Sequence, residues 1–329
     1  MTTDRYARQM MLPQVGSAGQ ARLAAARVLV IGAGGLGCPV LQYLAGAGIG
    51  RLVVVDHDRV EQSNLHRQPL YAMADIGAPK ALAARAALLR FNPTIAVEAV
   101  TERLTPANAE PLVADADVVV DAADSLAVTY ILSDACQQAG RPLVSASAVG
   151  LSGYVGAFCA GAPSYRAVFP EMPARAASCA SAGVLGSTVA ILGSIQAQFV
   201  LQLILALAPS PLGRLLTFEA GRLAFGGFSF DGAPEPARVC ARYIAPSAVT
   251  GADFVVDLRS LDEAPVSPFE GARRLTVDSI GTLLADGEAP AGRIVLCCRS
   301  GLRAWQAARR LADGGLTDLA LVALGDDPA

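Results

Sequence analysis

Lysine is almost missing from this chain. Of the 26 basic residues in its 329, 25 are arginine and one, Lys80, is lysine. A composition rich in Ala, Arg and Gly fits a GC-rich genome that drives Lys toward Arg, so the lysine that is kept marks a position to follow. Charge is scarce as well, at 17% of residues against 53% apolar, with a net charge of −3 and a pI near 5.5. So apolar a chain is not disordered. Without a basic excess, neither a nucleic-acid backbone nor an anionic membrane is its main partner. Paired cysteines are lacking too. Cys38, Cys136, Cys159, Cys179, Cys240, Cys297 and Cys298 are odd in number and form no C-x-x-C pair, which excludes a disulfide framework and suits a reducing compartment. The first eight residues carry charges where a secretory leader needs an apolar run, so a cytoplasmic location is expected.

The longest stretch without charge is 176–213. Within it, Val184–Ala208 is long enough to span a bilayer. Ser187, Thr188, Gln196, Gln198 and Gln202 interrupt it, and Gly186 and Gly193 weaken it. A buried helix, in the core or at a subunit interface, is therefore expected rather than a membrane span.

Among what is present, the first unit is the clearest. An apolar strand, Arg27–Ile31, runs into Gly32-Ala33-Gly34-Gly35-Leu36-Gly37; a helix follows from Cys38 to Ala47, then a strand, Leu52–Val55, that ends in Asp56. Strand, glycine turn, helix, strand and acid in this order open a nucleotide-binding α/β sheet. Lys80–Arg90 and Leu126–Ala139 read as helices, Ile95–Val100 and Ala116–Asp121 as strands, and residues 142–165 as a continuation of the sheet. From Asp231 proline and glycine become frequent, and a new strand–helix alternation begins with Phe254–Leu258, Ile294–Cys297 and Gly301–Ala312. The expected division is 1–246 and 247–329.

Gly32, Gly34 and Gly37 let the backbone approach a phosphate at a helix N-terminus, and Asp56 offers a carboxylate to ribose hydroxyls. That alone describes an NAD-dependent oxidoreductase equally well. The next loop shifts the balance, because Asp58, Glu61, Ser63, Asn64, His66, Arg67 and Gln68 crowd the end of the second strand. A guanidinium and amides suit a polyphosphate. Lys80 opens the following helix, where an ammonium can neutralise developing phosphate charge. Asp121 and Asp124 end a third strand, and a carboxylate beside a triphosphate points to Mg²⁺. Each residue alone has a plain alternative, such as a turn cap, a surface ion pair or a helix N-cap. At successive strand ends those alternatives do not all hold.

Arg5-Tyr6-x-Arg8-Gln9, Gly32-x-Gly34-Gly35-Leu36-Gly37, Asp56-x-Asp58, Ser63-Asn64-Leu65-x-Arg67-Gln68, Gly77-x-Pro79-Lys80, Asp121-x-x-Asp124 and Cys179-x-x-Ala182-Gly183-Val184 together resemble the ThiF–MoeB–HesA family, over about residues 4–230. The resemblance implies a homodimer that uses ATP to adenylylate the C-terminal glycine of a ubiquitin-like sulfur-carrier protein ending in Gly-Gly. It implies that Gly32, Gly34, Gly35 and Gly37 line the ATP, that Asp56 holds the ribose with Asp58 beside it, and that Asn64, Arg67 and Lys80 bind phosphates. Asp124 would hold Mg²⁺, Arg8 would reach in from the partner subunit, and Cys179 would take the activated carrier covalently or be a plain thiol.

The chain departs from the family in places. The positions of the family's two zinc-binding pairs read Ser164 and Ala167, then Ala237 and Cys240. One thiol cannot make a thiolate tetrahedron, so no zinc is expected. The usual Asp-Asn reads Asp124-Ser125, and Thr129 stands where an arginine is common, which bears on ATP and Mg²⁺ binding.

Near the other end, Cys298-Arg299-Ser300-Gly301-Leu302-Arg303 follows a strand and opens a helix. Backbone amides and a helix dipole around a sulfur lower the thiol pKa and stabilise a persulfide. With Asp257-Leu258-Arg259 upstream, this unit resembles a rhodanese domain, which implies that Cys298 carries sulfur from a persulfide donor. The spacing Cys297 to Arg303 also matches a phosphatase loop, but no histidine precedes it. About 80 residues make the unit short for a rhodanese.

The sequence thus predicts an α/β protein, a Rossmann-like nucleotide-binding sheet with a smaller α/β rhodanese-like domain. The predicted activity is carrier adenylylation followed by sulfur transfer, for molybdopterin or thiamine thiazole synthesis. The rival readings are a non-catalytic carrier-binding scaffold, an NAD oxidoreductase, and an enzyme acting on a tRNA-bound carboxylate.

Overall fold

The computed structural model describes residues 5–173, 183–237, 239–285 and 292–325. Its larger sheet has eight strands: β1 (Arg27–Ile31), β2 (Arg51–Val55), β3 (Ala96–Val100), β4 (Val118–Asp121), β5 (Leu143–Val149), β6 (Ser152–Phe158), β7 (Arg214–Glu219) and β8 (Ala224–Ser229). Their order is β3-β2-β1-β4-β5-β6-β7-β8. The first five are parallel and the last three antiparallel. Strands covered on both faces can carry unbroken apolar runs, such as VLVI in β1 and VVV in β4.

The chain order reverses between β1 and β4, and at such a switch point the loops diverge and leave a crevice. Register fixes which residues share it. Ile31 pairs with both Val55 and Asp121, and Val55 with Val100, so the carboxyl ends of β1 to β4 lie level, with Ser145 of β5 beside Asp121.

The helices are α1 (Ala7–Met10), α2 (Gly16–Ala25), α3 (Gly37–Ala47), α4 (Lys80–Phe91), α5 (Pro106–Ala114), α6 (Leu126–Ala139), α7 (Tyr165–Val168) and α8 (Gly186–Leu205). One core joins α3, α4 and α8 to the first face of the sheet, through Val30, Leu41, Leu44, Leu88 and Leu192. α8 is the uncharged run. It is long and apolar enough to cross a membrane, yet half of it is buried within the fold, against α3 and strands β4 to β6. Gly193 permits that packing, because a Cβ there would sit 2.5 Å from Leu36 O and from Pro39 Cγ.

The second sheet is wholly parallel, with order β11-β10-β12-β13-β9. Its strands are β9 (Arg242–Tyr243), β10 (Phe254–Asp257), β11 (Arg273–Arg274), β12 (Ile294–Cys298) and β13 (Leu319–Ala323), with helices α9 (Thr282–Ala285) and α10 (Leu302–Asp313). β9 belongs to this sheet although it precedes residue 246, where the sequence placed the division. The units share a core: Tyr130, Tyr165 and Met172 of the first unit cluster with Tyr243, Trp305 and Leu311 of the second.

Candidate active site

The crevice is built from the glycine loop upward. Gly32 has φ +94°, and a Cβ on it would lie 2.6 Å from Ala122 O, so only glycine lets β1 turn against the β4 loop. A Cβ on Gly37 would overlap Gly32 O, which holds the first turn of α3 tight to the strand end. The free N–H groups of that turn and the helix dipole favour an anion there.

Asp56 is buried at 9% exposure at the end of β2 and ties two loops together. Its Oδ2 accepts the Ala33 N–H at 2.7 Å and its Oδ1 accepts the Asp58 N–H at 2.8 Å. Burial raises its carboxyl, although Lys80 and those two amides pull the other way. A carboxylate has about four acceptor positions, so two remain for ribose hydroxyls.

Lys80 begins α4 with its stem buried, and its Nζ donates to Asp58 Oδ2 at 2.8 Å. Partial burial opposes ionisation of Asp58, but the Lys80 ammonium outweighs it and holds that carboxyl below the usual range. Asn64 is buried and donates to Ser63 Oγ at 3.0 Å. Arg67 contacts Ser63 O at 3.3 Å and His66 Nε2 at 2.8 Å. Among the described residues no carboxylate pairs with it, so its guanidinium charge remains for a ligand. A Cβ on Gly35 would lie 3.5 Å from Arg67 Cγ, so Arg67 lies against the glycine loop.

Asp124 is exposed on the loop after β4. As a solvent-facing carboxylate beside the anion-binding loop, it suits a hard divalent cation. Asp121 is inaccessible to solvent. Its Oδ2 accepts the Ser145 hydroxyl at 2.8 Å and its Oδ1 the Ala123 N–H at 3.3 Å. Burial pushes its carboxyl up to about 6, against the Thr129 and Ser145 hydroxyls that favour the charged form. Thr129, in the expected arginine position, is buried and supports Asp121.

The structure therefore brings together the glycine loop, Asp56, Asp58, Asn64, Arg67, Lys80 and the Asp124 loop. It does not bring Arg8 to them. Gln9, next to Arg8, donates to Ala47 O at the far end of α3, and an 11-residue helix is roughly 16 Å long. Cys179 lies outside the described residues.

Two contributors escaped the sequence reading. Tyr71 is buried, and its hydroxyl donates to Ala33 O at 2.7 Å and to Lys80 O at 3.3 Å, joining the glycine loop to α4. Gln196 of α8 donates to Asp121 O at 2.8 Å. A polar residue inside an apolar helix was the available signal for it.

At the positions of the family's zinc-binding pairs the donors present do not suit the metal. Ser164 N–H and Oγ–H both donate to Glu235, each at 2.6 Å, and Ser164 Oγ accepts the Ala167 N–H at 3.3 Å. Only Cys240 offers a thiol there.

In the second unit, Cys298 Sγ accepts N–H groups from Gly301 at 3.2 Å and Ala304 at 3.4 Å. The amide cradle is present, but the thiol is wholly buried. Burial raises its pKa and outweighs the lowering by the Ala304 amide and Arg303, which corrects the expectation of a depressed value. Gly301, at φ +84°, sits against Tyr243, whose hydroxyl donates to Gly301 O at 3.2 Å and to Met172 Sδ at 3.6 Å.

The profile of the ThiF family matches residues 6–237. The chain is 51% identical over 221 residues to the adenylyltransferase and sulfurtransferase MOCS3 of Bos taurus, covering 66% of this chain and 49% of that protein. It is 46% identical over 230 residues to the sulfur carrier protein adenylyltransferase of Thermus thermophilus, covering 68% and 85%. With the SAMP-activating enzyme E1 of Haloferax volcanii it shares 39% over 266 residues, covering 80% and 96%. The chain spans about half the length of the mammalian MOCS3 proteins it matches. Among solved structures, E. coli MccB bound to ATP superposes with a TM-score of 0.61 at 21% identity, covering 73% of this chain and 75% of that one. That likeness concerns the fold. With the family profile running through every element of the crevice, the chain belongs to the ThiF family.

Proposed function

We propose that this protein adenylylates the C-terminal glycine of a ubiquitin-like sulfur-carrier protein ending in Gly-Gly, and then transfers sulfur to it. The reading is supported above all by Arg67 lying against the glycine loop at a helix N-terminus and by Lys80 bonded to Asp58 beside the buried Asp56. In this reaction a carrier carboxylate attacks the α-phosphorus of ATP and pyrophosphate leaves. The nucleophile is already ionised, so the protein's work is positioning and charge neutralisation, with no general base.

Gly32, Gly34, Gly35 and Gly37 lie along the nucleotide, Asp56 takes the ribose with Asp58 beside it, and Asn64, Arg67 and Lys80 take the phosphates. Asp124 would hold Mg²⁺, which shields phosphate charge when bound. Lys80 exchanges its Asp58 partner for phosphate, or shares it.

A homodimer follows from the same reading. Arg8 is exposed about the length of α3 from its own glycine loop, so it serves a site only across a subunit contact. Glu235 ties itself to Ser164 by two hydrogen bonds, and on this reading the chain takes no zinc. The second unit resembles a rhodanese and supplies the sulfur. The outer sulfur of a Cys298 persulfide displaces AMP from the carrier adenylate, and a thiol reductant releases the thiocarboxylate. Its buried thiol requires the loop to open for this step. Cys179 is a further candidate for carrier attachment. The six cysteines among the described residues are unbridged, which suits the cytoplasm.

Carrier-dependent ATP–pyrophosphate exchange tests the first half. Lys80→Ala and Asp124→Ala should each lower the exchange rate about 100-fold, and absence of exchange with every candidate carrier would sink the reading. Thiocarboxylate formation that survives Cys298→Ser would remove that residue from its role.

A further inference from the structure

Helix α8 enters the crevice by one stripe of residues. Gly186, Val189, Gly193 and Gln196 follow at spacings of three, four and three, which places them on one helix face. A Cβ on Gly186 would lie 2.5 Å from His66 O, and Val189 Cγ1 is 2.8 Å from the Cβ position of Gly35. Gly193 abuts Leu36 O in the same way. The stripe thus touches the Arg67 loop and the glycine loop, and Gln196 reaches the third loop of the site.

Gln196 is wholly buried. Its Nε2 donates to Asp121 O at 2.8 Å and to Val144 O at 3.3 Å, bridging the carboxyl end of β4 to the start of the neighbouring strand β5. Its Oε1 is buried and finds no donor among the described residues. Packing does not account for such a residue, since an apolar side chain would fill the space without stranding an acceptor. Asp121 continues the line, because its carboxylate holds Ser145 on β5 and the Ala123 N–H in the loop that carries Asp124.

We propose that Gln196 is a positioning residue for the adenylylation site: with Asp121 it forms a buried polar brace that fixes the 122–125 loop, and so Asp124, in register with the glycine loop and Arg67. It acts through Asp121 and touches no substrate. Its catalytic consequence rests on the function proposed above, whereas the brace itself does not.

The test is Gln196→Leu in the full chain, with Gln196→Met as a second variant in case leucine fits poorly. The expected melting temperature stays within a few degrees of the wild type, because removal of the stranded acceptor offsets the loss of the two donor bonds. Backbone amides of 122–126 should exchange hydrogen about 10-fold faster, reporting a loosened loop. In carrier-dependent exchange kcat should fall about 10-fold while the KM for ATP stays within about twofold, since a loop displaced by a fraction of an ångström costs rate before binding. Unchanged amide protection and unchanged kcat in both variants would overturn the brace. Should the wild type itself show no exchange activity, the adenylylation reading fails while amide protection still decides the brace.

Discussion

Asp121 has lost all contact with water, and that burial moves its carboxyl from 3.8 to about 6. A folded value above the unfolded one means the native protein holds the proton more tightly. Its contribution to stability is therefore complete below about pH 3.8 and is lost as pH rises through about 6. The difference is on the order of 3 kcal/mol. Asp121→Asn removes that slope. Urea unfolding of variant and wild type in parallel should show the variant gaining roughly 3 kcal/mol, relative to wild type, between pH 4 and pH 7; a flat difference would mean Asp121 ionises normally. Residue identities at the site were legible beforehand because each chemistry needs its own side chain: ammonium at Lys80, guanidinium at Arg67, carboxylate at Asp56 and Asp124. What no residue reveals by itself is its degree of burial. Cys298 shows this, since its amide cradle was foreseen and its raised pKa was not.

At the scale of elements, α8 decides how the site loops meet. Its long uncharged run is explained by contacts on several sides, with α3 and with strands β4 to β6. Gly193→Ala places a methyl against Leu36 O and Pro39 Cγ, with no flexible end to yield. The expected cost is about 1–3 kcal/mol of stability, measurable by thermal or urea unfolding, together with weaker ATP binding because Leu36 precedes α3. A variant as stable as wild type would show that the two helices can part without loss. Helices and parallel strands were readable because glycine turns and apolar runs punctuate them within a few residues. The β7–β8 hairpin was not read: LLTFE and AFGGFS carry neither clear alternation nor a two-residue turn signal.

Across the whole molecule, two sheets share one core, and their connection is pinned at Glu235. Its carboxylate holds both donors of Ser164, 71 residues earlier in the chain. Metal analysis of the purified protein should find far less than one zinc per chain, and a chelator should leave the melting temperature unchanged. Glu235→Ala should lower stability by about 2 kcal/mol, the scale of charge-assisted hydrogen bonds. Stoichiometric zinc, or a chelator-sensitive melt, would refute the carboxylate tie. Arg309 to Glu171 at 2.8 Å and Tyr243 to Met172 hold the second unit to the first.

The sequence by itself determined the parts whose physics is local: the positive-φ glycine at the end of β1, the acid ending β2, the lysine opening α4, and a long uncharged helix interrupted by polar residues. Only the tertiary structure decided which of these parts meet. Strand register set Gly32, Asp56 and Asp121 level, and α8 joined their loops through Gln196, a contact spanning 75 residues. Burial likewise belongs to the assembled core, and it shifted Asp121 and Cys298 away from the values their neighbours in sequence suggest. The lone lysine illustrates both halves: its presence at position 80 was plain from composition, while its pairing with Asp58 needed the folded chain.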